Sequence, residues 1–217
     1  MRKIFIINIL LLCFFNINAQ NIKGGIYAGF NLSQVDGDQV YGFHKIGFIG
    51  GPTAIIPFKK NFSVSIETIF NQKGSYQKPI YKDTSYGMYR LILNYVEVPL
   101  LIHYKDKGKY NFGAGLSWGE LVGFKEWEHE IPIKWSKDSI PYKKDDICAL
   151  VDLDFPIYDR FRFNFRYSYS IFKIRTRYFP IINTTRYQFN NVLTFRLLYV
   201  FKDTPKPKRK KIKKEKK

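Results

Sequence analysis

The chain has 217 residues, 18% of them aromatic, with two cysteines and a formal net charge of +18. This length predicts a single domain, and the abundance of Tyr and Phe favours strands over helices. Because one cysteine lies in an N-terminal leader, Cys148 has no intrachain partner, which excludes a disulfide-stapled fold. Beyond residue 20 no apolar run approaches the ~20 residues that a membrane-spanning helix needs.

The first twenty residues predict a secretory signal peptide. Residues 1–3 are basic, residues 4–15 are nearly all apolar, and residues 16–20 form a cleavage region that we expect to be cut next to Ala19. The apolar run is too short to span a membrane. Cys13 raises a lipoprotein alternative, but two leucines stand before it where a small residue is usual.

Hydrophobic alternation with a period of two recurs in eight segments of the mature chain. In the seventh segment, aromatic residues at odd positions alternate with Arg162, Asn164 and Arg166. Successive side chains of a strand point to opposite faces, so this alternation predicts strands with one apolar and one polar face. In chain order the segments are residues 22–33, 45–57, 62–73, 91–104, 110–121, 147–155, 161–169 and 188–201.

The connections between these segments alternate between short turns and long polar loops. Such an asymmetry is typical of bacterial outer-membrane barrels, and segments of about ten residues match a tilted β-span. The sequence therefore predicts an all-β fold, an eight-stranded antiparallel transmembrane β-barrel with a side-chain-filled lumen and both chain ends in the periplasm. Short turns are expected at residues 58–61, 105–109 and 157–160, and long loops at residues 34–44, 74–90, 122–146 and 171–187.

A soluble eight-stranded barrel of the lipocalin kind is the alternative, because alternation does not say which face points outward. Three features favour the membrane. The polar faces carry acids and bases, which would line an apolar ligand pocket poorly. Tyr and Trp stand near segment ends, as in an interfacial belt. The last segment ends on an aromatic residue, Phe201.

Four stretches carry a family resemblance. They are residues 24–33 (GGIYAGFNLS), 45–51 (KIGFIGG), 71–75 (NQKGS) and 94–101 (NYVEVPLL). Together they resemble the PorT-like outer-membrane β-barrel family, a porin-like barrel domain, and the resemblance spans most of the mature chain. It implies the barrel fold and an outer-membrane location. The namesake branch is an accessory of type IX secretion and gliding, and no motif here selects that branch.

Charged residues on the polar faces are the candidate site. An eight-stranded barrel is only wide enough for side chains to fill it, and buried charges need partners. We therefore expect a structural salt-bridge network in the lumen, with the sixth and seventh strands bringing acids next to arginines. A proton path or narrow ion conduit is the alternative. The network is predicted to comprise Glu67, Glu97, Asp152, Asp154, Arg162, Arg166 and Arg196, with Lys45 and Lys73 on the same faces.

No catalytic or metal-binding motif is recognisable. His44, His103 and His129 are scattered, so we expect no metal, no cofactor and no enzymatic activity. Residues 126–130 hold three glutamates, which we interpret as a solvated loop. A lipid-modifying enzyme with a Ser/His pair at the outer rim is the alternative, but His103 falls near the short-turn rim, away from surface lipid.

The C-terminal residues 203–217 form a Lys-rich tail with nine Lys or Arg and two acids, which we expect to be disordered in isolation. From the periplasmic side its cations would contact anionic lipid heads, cell-wall carboxylates or a periplasmic partner. An exported protein meets little nucleic acid, so we expect none as a partner. The contacts are assigned to Lys208, Arg209, Lys210 and Lys211.

The sequence thus predicts three parts: a signal peptide (residues 1–20), a barrel (residues 21–202) in the outer-membrane lipid bilayer, and the tail (residues 203–217). We expect a non-enzymatic structural or interaction role, with the long loops as a binding surface for an extracellular ligand. An accessory role in type IX secretion is the alternative, and a narrow pore is a third class.

Overall fold

A computed structural model of the protein describes residues 22–80, 82, 87–106, 110–135, 141–179 and 183–201. The predicted signal peptide and Lys-rich tail lie outside these residues. The described part of the chain contains no helix that is long and apolar enough to cross a membrane. Its strands are β1 (Lys23–Asp36), β2 (Lys45–Lys59), β3 (Phe62–Glu67), β4 (Ile69–Gln77), β5 (Tyr89–Asp106), β6 (Tyr110–Glu128), β7 (Ile131–Pro132), β8 (Asp145–Tyr158), β9 (Phe161–Ser170), β10 (Arg175–Phe179) and β11 (Thr184–Val200).

The strands pair antiparallel into a closed ring. β1 pairs with β2 on one side and with β11 on the other, so the first and last strands meet. β2 pairs with both β3 and β4, which follow one another in the wall and are separated only at Thr68; both then pair with β5. From β5 the ring continues through β6, β8 and β9 to β11. With β3 and β4 counted together, the described residues form a wall of eight strands, and the predicted barrel is confirmed.

Alternation along each strand places apolar side chains outside the ring and polar side chains inside it. Arg196, Lys73 and Glu67 are among the most completely buried large side chains. An apolar exterior around a polar interior is the arrangement of a transmembrane barrel and the reverse of a lipocalin-like one, so that alternative is wrong. The exposed apolar band includes Ile26, Phe30, Ile46, Phe48, Ile66, Phe70, Val96, Leu100, Ile102, Phe112, Leu116, Val151 and Leu197.

Aromatic side chains collect on the wall near the short turns. The ring centroids of Phe62 and Tyr104 are 5.2 Å apart, and those of Phe161 and Tyr199 are also 5.2 Å apart. Phe201 continues this contact chain at 5.9 Å from Tyr199. Such a girdle is what a barrel presents to the membrane–water interface.

Strands at the long-loop end run further than predicted. β5 begins at Tyr89 and β6 ends at Glu128, so parts of the predicted loops 74–90 and 122–146 are strand. The β5–β6 register shifts between Asn94 and Tyr95, which places Val122 as an extra residue in β6. A bulge of this kind reverses the alternation beyond it, and for this reason the sequence pattern stops at residue 121 although the strand continues.

The predicted loop 171–187 is also largely a hairpin. β10 pairs with the start of β11, with Arg177 opposite Arg186. Only residues 180–183 separate these two strands, and of these the structure describes Asn183 alone, with a positive φ of 47°. The barrel wall therefore extends as a two-stranded projection beyond the apolar band.

Candidate functional site: the lumen and its closure

The half of the lumen nearer the short turns holds a four-member ion-pair network. Arg166 of β9 donates to Asp152 of β8 at 2.6 and 2.8 Å and to Glu67 of β3 at 3.0 and 2.9 Å. Arg196 of β11 donates to Glu67 at 2.9 Å and lies 3.6 Å from Asp152. Its guanidinium also lies 3.9 Å from the ring centroid of Tyr27. All four charged side chains are buried, so each charge is balanced inside the network.

Asp154 and Arg162 form a separate ion pair closer to the short turns. The register of the β8–β9 hairpin explains the separation, because Asp152 stands opposite Arg166 while Arg162 lies beyond Asp154 towards the turn. Asp154 also accepts a hydrogen bond from Asn111 of β6 at 3.1 Å. Six of the seven predicted network residues therefore lie in this half of the lumen, in two groups.

Glu97, the seventh predicted residue, lies closer to the long-loop end of the lumen, in a second network. The Lys73 ammonium is 2.6 Å from the Glu97 carboxylate and 3.0 Å from that of Asp146. Asp146 also accepts hydrogen bonds from Ser170 at 2.7 Å and from Asn190 at 2.8 Å. Buried charges cost free energy unless they are paired and hydrogen-bonded, and these contacts meet that requirement.

Asp146 was missed by the sequence reasoning because the predicted strand begins at residue 147. The signal was present, since Asp146 continues the inward-facing series Cys148, Leu150 and Asp152 at every second position. Lys45, by contrast, forms no ion pair within the described residues, and it donates to the Gln72 side chain at 3.3 Å.

A cluster of apolar side chains closes the lumen at the long-loop end. Strand residues of β1 and β5 pack there against side chains from three connections, Val40, Tyr142 and Ile174. We call this cluster the cap; its buried members are Val35, Val40, Tyr89, Leu91, Leu93, Tyr95, Tyr142 and Ile174. The long connections therefore fold onto the barrel mouth and cover it.

Glu126 lies under the cap, and its prediction as part of a solvated loop is wrong. Its residue is only 2% exposed. The carboxylate accepts hydrogen bonds from Tyr89 at 2.9 Å, from Trp135 at 3.2 Å and from Arg175 at 2.9 Å. The bulge at Val122 turns this stretch of β6 inward, and no local charge pattern signals such a reversal.

The connection between β1 and β2 contributes a buried carboxylate to the same end. Asp38 accepts a hydrogen bond from the backbone N–H of Val40 at 2.8 Å. Burial raises the pKa of Asp38 to about 6. Burial also raises the pKa of Tyr142, in the connection before β8. The long-loop end thus contains ionisable groups whose neutral forms are favoured more strongly than they are in water.

The histidines do not converge. His103 faces the lumen, where its Nε2 lies 2.7 Å from the Ser65 hydroxyl, and both residues are buried. His129 is at the opposite end of the barrel, where its Nδ1 accepts a hydrogen bond from the Gly87 N–H at 2.9 Å. Among the described residues no group of three or more His, Cys, Asp or Glu side chains could hold a metal ion.

Comparison with known proteins places the chain among membrane barrels. The family described as outer membrane protein beta-barrel domain matches residues 18–175. No curated protein matches the chain.

Several solved structures are similar over most of their length. Ail, the attachment invasion locus protein of Yersinia pestis, is 15% identical with a TM-score of 0.49, covering 82% of this chain and 98% of its own. Neisserial surface protein A is 11% identical with a TM-score of 0.49, and the match covers 83% of this chain and 99% of the Neisserial one. OprG from Pseudomonas aeruginosa is 14% identical with a TM-score of 0.37, and the match covers 83% of this chain and 94% of OprG. Likenesses this distant carry no information on activity.

Proposed function

The chain belongs to the outer membrane protein beta-barrel domain family, and from this premise we propose that it is a non-enzymatic structural and interaction protein whose long-loop end is the binding surface. It resides in the outer membrane. In barrels of this class the short turns face the periplasm and the long loops face outward, so the cap lies at the cell exterior.

The filled lumen is the observation that supports a structural role. Four cations and five carboxylates pair with one another across it, and the cap covers one mouth. A conduit needs a continuous wet path with sites that release what they bind. Interlocked ion pairs favour a rigid wall instead.

The non-enzymatic part of the proposal is supported by the setting of the Ser65–His103 pair. A general base needs to reach the proton of a bound substrate. Ser65 and His103 lie in the short-turn half of the lumen, away from the outer rim where surface lipid would be met. They resemble the other hydrogen bonds that satisfy lumen polar groups.

The binding role is supported by the exposed side chains at the long-loop end. Tyrosine and tryptophan are enriched at protein interfaces because one residue offers apolar area and a hydrogen-bonding group. Here such side chains stand on the projecting hairpin and on the loops around the cap. The exposed tyrosines and tryptophan are Tyr41, Trp135, Tyr178 and Tyr187, and the exposed apolar side chains beside them are Ile80, Ile131 and Phe172.

A pull-down with the intact barrel in lipid nanodiscs tests the binding role. The wild-type barrel should capture an extracellular ligand that the triple variant Tyr41→Ser/Tyr178→Ser/Tyr187→Ser loses. A control triple variant in the apolar band, Ile26→Val/Leu100→Val/Leu197→Val, should retain it. Equal capture by both triple variants, or no specific capture by the wild type, contradicts the proposal.

The PorT resemblance supports a second candidate, an accessory role in type IX secretion and gliding. In that role the Lys-rich tail, including Lys208, Arg209, Lys210 and Lys211, would dock onto a periplasmic partner or the cell wall. A deletion strain complemented with the full chain, or with a chain that stops at residue 202, tests both parts. Normal secretion of type IX cargo in the deletion strain removes the accessory role.

A further inference from the structure

A cavity of about 490 Å³ occupies the mouth of the barrel at the short-turn end. We call it the vestibule. Its wall is made by inward-facing side chains at the ends of several strands and by the β2–β3 and β8–β9 turns. The residues that matter for its charge are Lys23, Lys59, Lys60, Lys105, Asp154, Asp159, Arg160 and Arg162.

The vestibule carries a large excess of positive charge. Its two acids form ion pairs with its two arginines: Asp154 pairs with Arg162, and Asp159 lies 3.6 Å from Arg160. The four lysines make no ion pair or side-chain hydrogen bond with any of the described residues, and all four are exposed. Within the part of the chain that the structure describes, four cations without a carboxylate partner therefore share one partly enclosed space.

This excess of unpaired positive charge differs from the ion-pair networks deeper in the lumen. Higher in the barrel, Lys73 and the network arginines each contact at least one carboxylate. Lys23 and Lys105 stand at inward positions of β1 and β5, in the same alternating series as Tyr27 and His103. Grouped like charges repel, and a cleft with low-dielectric walls concentrates their field. An anion bound among them relieves that repulsion.

The vestibule is closed at its inner end, so it is a blind cavity rather than the mouth of a channel. Tyr27, His103 and Asp154 line its floor and are buried. The ion-pair network of Glu67, Asp152, Arg166 and Arg196 lies immediately above. A ligand that enters from the short-turn side can therefore stop there but not pass through.

We propose that the vestibule binds a compact polyanion, with phosphate or carboxylate groups contacting Lys23, Lys105 and the lysines of the β2–β3 turn. The volume is within the range of small-molecule sites. Lysine is a phosphate and carboxylate ligand that acts as a point charge. Phe62 and Phe201 of the aromatic girdle form part of its rim, but Lys23 and Lys105 lie inside the ring of strands, which favours a soluble anion over a phospholipid headgroup.

Calorimetric titration of inorganic pyrophosphate into the full-length barrel, held in zwitterionic detergent, tests the site. The wild type should bind one pyrophosphate per barrel, with affinity that falls as salt rises. Lys23→Gln/Lys105→Gln should weaken binding at least tenfold. The matched control Lys125→Gln/Lys144→Gln removes the same charge from the exposed long-loop end, and should bind like the wild type. Unchanged unfolding temperatures of both variants would verify that the barrel is intact.

A lipid arm distinguishes the source of the anion. Barrels extracted from membranes containing phosphatidylglycerol are assayed for tightly held phosphorus. Stoichiometric lipid that Lys23→Gln/Lys105→Gln loses, together with no pyrophosphate binding, identifies a headgroup as the source. Pyrophosphate binding without retained lipid identifies a soluble anion. Absence of both, or equal weakening in the two double variants, overturns the proposal.

Discussion

Single side chains in the lumen bear several contacts each. Arg166 is the clearest case, since its guanidinium donates four hydrogen bonds, shared between Asp152 and Glu67. The planar fork of arginine suits two carboxylates held on different strands, and lysine would not reproduce it. Removal of such a residue does more than delete contacts, because it leaves two carboxylates buried without their main cation.

Arg166→Ala should therefore lower the unfolding temperature of the detergent-folded barrel clearly. Breaking a buried ion pair by removing one partner typically costs ~3–5 kcal/mol. Lys213→Ala, in the Lys-rich tail, serves as the control and should leave the unfolding temperature unchanged. Melting curves followed by circular dichroism give the comparison. Identical curves for Arg166→Ala and wild type would show that the lumen is wetter than the contacts imply.

Asp38 should make the stability of the cap depend on pH. Its pKa, raised to about 6, means that between about pH 4 and pH 6 the folded chain keeps a proton that the unfolded chain releases. Stability therefore falls as pH rises through that window. The Asp38→Asn side chain cannot ionise and keeps an oxygen for the Val40 N–H. At pH 7.5 this variant should therefore be more stable than wild type, by at most about 3 kcal/mol.

Unfolding temperatures measured at pH 4 and pH 7.5 test this expectation. The two proteins should unfold alike at pH 4 and diverge at pH 7.5. Asp106→Asn, at the opposite end of β5, is the control and should keep the wild-type difference between the two pH values. A wild type that gains stability from pH 4 to pH 7.5 relative to Asp38→Asn would contradict the burial of Asp38.

At the scale of the strand, the bulge in β6 determines which side chains pack beneath the cap. The extra residue Val122 turns Phe124 and Glu126 inward, where they pack against and under the cap. Arg175 of β10 is drawn to the same point and pairs with Glu126 at 2.9 Å. One bulge thus joins the β5–β6 pair to the β10–β11 projection.

Glu126→Gln should loosen this junction without opening the barrel. The amide keeps the volume but leaves Arg175 without its carboxylate, so we expect faster limited proteolysis in the connection between β6 and β8, at residues 133–144. The unfolding temperature should fall by less than in Arg166→Ala. Glu120→Gln, an exposed position of the same strand, should be cleaved at the wild-type rate. No change in Glu126→Gln would indicate that the cap is held by apolar packing alone.

Prediction from sequence worked where a strand alternates without interruption. The eight spans, the polar lumen and the short turns follow from period-two patterning, since only a strand gives that periodicity. It failed beyond Val122 and across residues 171–187, because a bulge reverses the alternation and the hairpin is set by pairing with β11. Glu67 could be placed in the lumen from its pattern, but its partners across the barrel depend on strand tilt and register, which alternation does not encode.

For the whole molecule, the contents of the lumen change along its axis. The vestibule is basic, the next layers are paired ions, and the long-loop end combines the apolar cap with the Glu126–Arg175 ion pair beneath it. Among the described residues, the paired side chains contact one another across the lumen and the cap covers its long-loop mouth. The barrel should therefore act as a solid wall in the membrane.

Planar-bilayer recording tests this expectation directly. The purified barrel should insert without producing steady current steps, whereas a general porin in the same bilayers should produce them. Arg166→Ala, which disturbs the ion-pair layer but not the cap, should also remain silent. Reproducible ohmic steps from the wild type would favour the conduit over the packed lumen.

The position of Glu67 has a consequence for how the barrel assembles. Its partners Arg166 and Arg196 stand 99 and 129 residues later in the chain, on strands reached only after the rest of the wall is laid down. The hairpin of β8 and β9 can neutralise Asp152 locally, but among the described residues Glu67 pairs with no cation of β2, β4 or β5. A half-built sheet therefore carries an unpaired carboxylate on its concave side, and the final seam between β1 and β11 is what brings the last cation to it. The Glu67 carboxylate is paired with both arginines only in the closed barrel, so incompletely closed intermediates have a higher free energy. We therefore expect insertion to be an all-or-none event.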